Sequence, residues 1–282
     1  MNARLAFIGA AILLGYGSAH AQSMRPFSTF RQVHGETRLA VKLDYAAGNL
    51  RIGMGRPGAL YRMDLAYDDS RFVPLSDFDA ARGAVLLGLR TAGAAGLRVV
   101  SRNQLQQVAA VTLSPRVDLA LDLKLGAVDA EVELGGLSVS TLDLKTGASR
   151  SIVRFSQPNG TRCRHASFSA GAAELTVTGL GNSRCDEIAF EGGIGKVTLD
   201  FTGAWTSSAR VQVQMAVGEL TLRLPRKIGI RIAMDKFLSS FEPDGFVRRG
   251  ESFQSPNYDG AQRRVNVDLT SAVGGVTVQW VD

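Results

Sequence analysis

Few side chains in this chain have the type and spacing to do chemistry. Cys163-Arg164-His165 sets a thiol two positions from an imidazole. On a strand those positions share a face, so the two could meet as nucleophile and base. A disulfide between Cys163 and Cys185 accounts for the cysteine without catalysis, as exported chains generally oxidise their thiols. Neither His34 nor His165 lies in an HxxxH or CxxH spacing, so no metal site and no cofactor is expected.

Gly192-Gly193-Ile194-Gly195-Lys196-Val197 looks like a phosphate-binding glycine loop. It lacks the Ser or Thr after the lysine and the strand-loop-helix context, so a sharp backbone corner explains it better. Asp129, Glu131, Glu133, Glu174, Asp200 and Glu219 are candidates for outward strand positions that a polysaccharide-cleaving enzyme could use. They alternate with Lys196, Arg210 and Arg223, as on a solvated strand face.

A basic concentration comprises Arg223, Arg226, Lys227, Arg231, Arg248, Arg249, Arg263 and Arg264. Gathered into one patch, these charges would suit an anionic polymer or lipid; scattered, they are ordinary surface charges.

The segments that must position these residues begin with an export signal. Arg4, the apolar stretch Leu5 to Leu14 and the small residues ending in Ala19-His20-Ala21 have the three-part layout of a secretory signal peptide. Cleavage is expected after Ala21, because the apolar stretch is shorter than the roughly 20 residues that span a bilayer. Loss of Arg4 leaves 31 Lys+Arg against 26 Asp+Glu, a net charge of +5. That mild excess favours anionic surfaces in general, and the 45% hydrophobic content argues for a packed core.

Residues 22–36 are polar and include Pro26 and Gly35, so they read as a flexible leader. From Arg38 onward short apolar runs alternate with polar positions and end at Gly, Pro, Asp or Ser, the mark of many strands of about five to seven residues. That length falls short of the 9 to 11 or so that a membrane-spanning barrel needs.

The second half repeats itself. Gly171, Gly193, Ala216 and Ala272 are each followed by a small residue two positions on and by apolar residues four and six positions on. Looser copies start at Gly126 and Gly147, and Ala46, Gly48, Leu50 and Ile52 near the N-terminus fit the same spacing. Anchors from Gly126 to Ala216 are 21, 24, 22 and 23 residues apart. A period near 22 suits one turn of a β-solenoid, with a small residue wherever the backbone bends sharply under its neighbour.

Cys163 and Cys185 then fall at comparable points of adjacent turns, about 5 Å apart, which predicts a turn-to-turn disulfide. Buried free thiols are the alternative. The repeat breaks after Leu224-Pro225, and an aromatic-rich insertion with Phe237, Leu238, Phe241, Phe246, Phe253 and Tyr258 fills about 225–264. It reads as a flap or end cap. The expected organisation is thus a signal peptide (1–21), the leader (22–36), an N-terminal β region (37–114) and a continuous solenoid (115–282) carrying that insertion.

Leu144-Lys145-Thr146-Gly147-Ala148-Ser149-Arg150, the Gly-x-Gly turns, Ser255-Pro256-Asn257-Tyr258-Asp259 and Val273-Gly274-Gly275-Val276-Thr277-Val278 resemble the bacterial toast-rack and LiaF-like (cell-wall-active antibiotics response) C-terminal domain families. The resemblance covers roughly residues 38 to 282. It implies a right-handed, single-stranded β-helix associated with the bacterial envelope, some relatives of which sense envelope stress. It carries over no catalytic residue.

The expected protein is a periplasmic or extracellular, non-enzymatic binding or structural module linked to envelope stress or adhesion. Its expected partners are an anionic envelope component or another envelope protein, not nucleic acid. The alternative is a β-helix hydrolase or lyase acting on polysaccharide.

Overall fold

The alternation that starts at Arg38 becomes a single strand of 17 residues with inward Leu39, Val41, Leu43, Tyr45, Leu50 and Ile52. The computed structural model describes residues 24–93, 106–236, 241 and 243–282. The expected signal peptide, together with Phe237 and Leu238 of the expected insertion, lies outside the described residues.

In chain order the strands are β1 (Met24–Gln32), β2 (Arg38–Met54), β3 (Ala59–Asp68), β4 (Phe72–Asp79), β5 (Ala84–Thr91) and β6 (Val108–Leu113). The middle of the chain supplies β7 (Asp118–Glu133), β8 (Ser138–Thr146), β9 (Arg150–Arg154), β10 (Cys163–Thr178), β11 (Cys185–Asp200) and β12 (Ala209–Pro225). Then come β13 (Gly229–Lys236), β14 (Val247–Arg249), β15 (Ser252–Gln254) and β16 (Arg264–Val281). A four-residue helical turn, Leu180–Ser183, completes an otherwise all-β molecule.

Long strands pair in parallel, each with the next copy of itself. Phe168 lies beside Phe190, Phe190 beside Val213, and Val213 beside Leu269. The strands β7, β8, β10 and β9 close into a small ring, because β7 and β10 each pair with both shorter strands. Inward side chains from the leading and trailing halves of the strands meet in one buried cluster.

Strands twice the expected length follow from how the chain turns at its small residues. Gly195, Gly218 and Gly274 are register partners on β11, β12 and β16, at φ of +149°, +137° and +133°. A Cβ on Gly218 would lie 2.0 Å from the Gly195 carbonyl oxygen, and one on Gly274 would lie 1.9 Å from that of Gly218. Only glycine lets the backbone bend there while the ladder stays paired, so the corner redirects the strand without ending it.

Two sequence expectations need correction. Residues 24–32, assigned above to a flexible leader, form β1, which pairs antiparallel with β3 along its whole length. Its alternation is faint because one face is only half-buried. Within the expected insertion, β13 is a strand of the ladder and runs parallel to β16 from Gly229↔Arg264 to Lys236↔Ser271. It carries the hairpin of β15 and β14 on its outer side.

Candidate binding surfaces

Cys163 and Cys185 are register partners on β10 and β11, and their sulfurs form a disulfide with the Cα atoms 4.1 Å apart. It closes a sequence separation of 22, for which chain entropy gives about 3 kcal/mol. The sulfur is therefore no nucleophile. Nor do Cys163 and His165 share a face: Cys163 is buried, as is Ala166, so the alternation slips by one residue between them and leaves His165 half exposed. The His165 ring instead lies 4.0 Å from Glu187, which also pairs with Arg210 at 3.5 Å.

The glycine-rich Gly192 to Val197 stretch runs inside β11, and its lysine reaches across to the next strand, with Lys196 Nζ 3.3 Å from Glu219. Most outward carboxylates are likewise engaged. Glu174 takes Arg150 at 3.1 Å, Glu131 takes Arg51 at 3.7 Å, and Glu133 accepts the Gly135 and Ser156 amides. Asp200, only 5% exposed, accepts from Arg223 at 2.7 Å and from the Thr202 amide. Parallel register makes this possible, because it stacks opposite charges one strand apart. Among the described residues no group of three or more His, Cys, Asp or Glu lies close enough to hold a metal ion.

The basic residues divide into committed and free. Arg223 is held by Asp200; Arg226 pairs with Asp282 at 3.3 Å and sits over the Trp280 ring. Arg264 donates to the Tyr258 and Asp259 carbonyl oxygens and covers the Tyr258 ring. Arg263 donates to the neighbouring Gln262 carbonyl.

Lys227 lies between β12 and β13, two residues before Gly229, which is the register partner of Arg264. Arg231 follows on β13 beside Asn266 and Gln254. The hairpin carries Arg249 opposite Ser252 and Arg248 opposite Phe253. Arg248 also lines a pocket of about 660 Å³ together with Glu251 and Asp268. Neither carboxylate stood out in the sequence, since 17 residues and a strand pairing separate them.

The exposed apolar residues are also ordered by register. Ile194, Val217 and Val273 follow one another on β11, β12 and β16 as a ridge beside the glycine corner.

The family model described as "N-terminal domain of toast_rack, DUF2154" matches residues 21–178. Solved structures with related backbones include a candidate cell adhesion protein from Clostridium sporogenes, at 15% identity and a TM-score of 0.46 over 92% of this chain and 100% of that one. A candidate adhesin from Bacteroides fragilis matches at 11% identity and a TM-score of 0.42, covering 92% of this chain and 99% of its own. No curated protein matches the chain. With more than half its length inside the family model, the chain belongs to the toast-rack N-terminal domain family.

Proposed function

We propose that the chain is an exported, non-enzymatic β-solenoid, right-handed and single-stranded with turns of about 22 residues, that serves as a binding or structural module of the bacterial envelope. The observation that carries this reading is the cross-strand ladder of ion pairs. Arg150–Glu174, Lys196–Glu219, Arg210–Glu187 and Arg223–Asp200 each join neighbouring parallel strands, so the outward charges build a rigid, mixed face. Export is supported by the Cys163–Cys185 disulfide, which belongs to an oxidising compartment such as the periplasm or the extracellular space. Residues 1–21 are then the cleaved signal peptide, and the role is in envelope stress or adhesion.

The partner in this reading is an anionic envelope component, met at the C-terminal end by Lys227, Arg231, Arg248, Arg249 and Arg263, none of which has an ion pair among the described residues. Wild-type protein is expected to sediment with phosphatidylglycerol vesicles and not with phosphatidylcholine vesicles. Arg248→Ala combined with Arg249→Ala should weaken that binding. Sedimentation with neither vesicle removes the patch from the proposal.

One observation favours a second reading, a polysaccharide-active β-helix hydrolase or lyase. The pocket at the hairpin brings Glu251, Asp268 and Arg248 to one opening, and a pair of carboxylates is what glycosidic cleavage uses. Release of reducing ends from an acidic polysaccharide, lost in Asp268→Asn, would replace the first reading with this one.

A further inference from the structure

A second concavity lies at the opposite end of the ladder, on the outer face of the leading halves. Its volume is about 420 Å³, and Arg38, Arg82 and Arg164 stand around it. It is concave because Ala40 of β2 has Ala84 of β5 and Ala120 of β7 as register partners, while two positions further on these strands carry the larger Lys42, Leu86 and Asp122.

Arg82 is steadied by Asp79 at 2.7 Å. Arg38 and Arg164 have no ion pair among the described residues, unlike Arg51, Arg150 and Arg223 on the trailing halves of the strands. Asp118 and Ser140 complete the lining. The Ser140 hydroxyl donates to the Leu119 carbonyl at 3.0 Å, which leaves its oxygen free to accept.

The lining residues come from five neighbouring chain segments: the turn before β5, then β2, β7, β8 and β10. At about 4.8 Å per step the groove is about 19 Å long and runs across the strands. By register Arg82 and Arg38 stand on adjacent segments at one end of the groove, and Arg164 stands three strands further along. One compact anion, such as a lipid headgroup, would engage one end alone and face the Asp118 carboxylate. An extended chain with repeated carboxylates and hydroxyls would use all of them: forked donors for its carboxylates, and the Asp118 and Ser140 oxygens as acceptors for its hydroxyls.

We propose that this groove binds an extended acidic polysaccharide, its carboxylates on Arg38, Arg82 and Arg164 and its hydroxyls on Asp118 and Ser140. The inference rests on the chain being a binding module, and it places the ligand away from the C-terminal basic residues.

The test is calorimetric titration of the full chain with oligogalacturonate, oligomannuronate and hyaluronan fragments, with cello-oligosaccharide as the neutral control. At least one acidic oligosaccharide is expected to bind, with affinity falling steeply as salt is raised. Arg38→Ala with Arg164→Ala should lower that affinity about a hundredfold, about tenfold for each charged hydrogen-bonding group removed. Ala120→Leu should lower it by filling the groove with no change of charge.

Both groove substitutions are at surface positions, and an unchanged melting transition separates lost binding from lost fold. Binding to no acidic oligosaccharide, equal binding of the neutral one, or indifference to the Arg38/Arg164 pair overturns the inference. None of these outcomes touches the vesicle measurement, so groove and C-terminal patch fail independently.

Discussion

The two ends of the ladder solve the same problem unequally. At the N-terminal end β2 is not the outermost strand: β5 and β6, later in the chain, lie outside it, and β7 returns to its inner side. At the C-terminal end β16 slots between β12 and the earlier β13. In both places a strand is laid down one position too far out and a later strand fills the gap: the long β16 between β12 and β13, and the short β6 and β5 between β2 and the earlier β3 and β4. A long, flat, exposed edge is thereby avoided where pairing with a foreign strand would otherwise begin.

The cover is complete at only one end. β5 and β6 shield both halves of β2, from Ala40 to Tyr45 and from Asn49 to Met54, and are themselves backed by β4 and β3. β13 shields Arg264 to Ser271 alone. Beyond it Val276, Val278 and Trp280 are only partly buried, although Leu220, Leu222 and Leu224 one strand further in are at most 1% exposed. What covers the end of β16 among the described residues is a side-chain contact, Phe246 stacked on Trp280 at 4.9 Å, with Trp280 Nε1 donating to the Asp244 carbonyl.

A matched pair of glycines gives the largest expected effect. A Cβ on Gly88 would sit 1.9 Å from the Asp44 carbonyl oxygen, and one on Gly274 would sit 1.9 Å from that of Gly218. Gly88 is held between β4 and β2, whereas Gly274 has a described partner strand on one side alone. Gly88→Ala should cost about 3 kcal/mol or more, and Gly274→Ala about half of that, because β16 can move outward to relieve the clash. Denaturant titration of both variants measures the difference; equal losses would show the C-terminal end to be as confined as the other.

A matched pair of valines probes packing in place of backbone. Val111 on β6 and Val278 on β16 belong to one inward column, beside Ile52 and Leu222 respectively; Val111 has the buried Met63 of β3 beyond it, whereas Val278 has no described strand beyond it. Val111 is 2% exposed, while Val278 is partly buried. Val111→Ala should destabilise by about 2 kcal/mol and Val278→Ala by less than about 1 kcal/mol. The same order is expected in amide exchange, fastest for the trailing half of β16.

This asymmetry was legible in the sequence only in part. The small-residue anchors at Gly171, Gly193, Ala216 and Ala272 could be found because the chain bends under its neighbour at each turn, and two positions further on, at Gly195, Gly218 and Gly274, there is no room for a Cβ. The cysteine pair followed from the same period. Pairing order left no such mark: nothing local in Gly229-Ile230-Arg231-Ile232 says that it lies outside a strand 35 residues later. β1 was missed for a related reason. Pro26 is tolerated in an outer strand, and Phe27, Thr29 and Arg31 on its half-buried face form no clean apolar alternation. The groove with Arg38, Arg82 and Arg164 was equally hidden, since its residues are brought together by register from distant positions.

Titration should distinguish the ends as well, because among the described residues the carboxyl and phenol groups with displaced proton affinities lie between Glu36 and Asp79. Burial raises the Tyr45 phenol well above its ordinary value, with its hydroxyl donating to the Asn49 carbonyl at 3.2 Å. A raised folded value gives stability that is complete below the unfolded phenol pKa of about 10 and is lost as pH rises beyond it. Alkaline unfolding should therefore begin at the N-terminal end, and Tyr45→Phe should flatten the alkaline limb of the stability curve.

The smallest effect concerns Asp64, which ties β1 to β3. Arg62 donates two hydrogen bonds to its carboxylate, at 2.6 and 2.7 Å, and the Ser28 hydroxyl of β1 donates a third at 2.7 Å. These bonds, that from Arg62 foremost, hold the Asp64 carboxyl below the ordinary carboxylate range. A lowered folded value gives stability that is present above the unfolded pKa of about 4 and is lost as pH falls through the folded one. The site is about half exposed, so solvent screening keeps its contribution small. Acid should loosen β1 before any other ladder strand, seen as faster exchange of the Phe27 to Phe30 amides, and Asp64→Asn should remove that pH dependence. If β1 and β16 loosen together instead, the N-terminal cover is no more secure than the C-terminal one in acid, and the contrast between the two ends rests on packing alone.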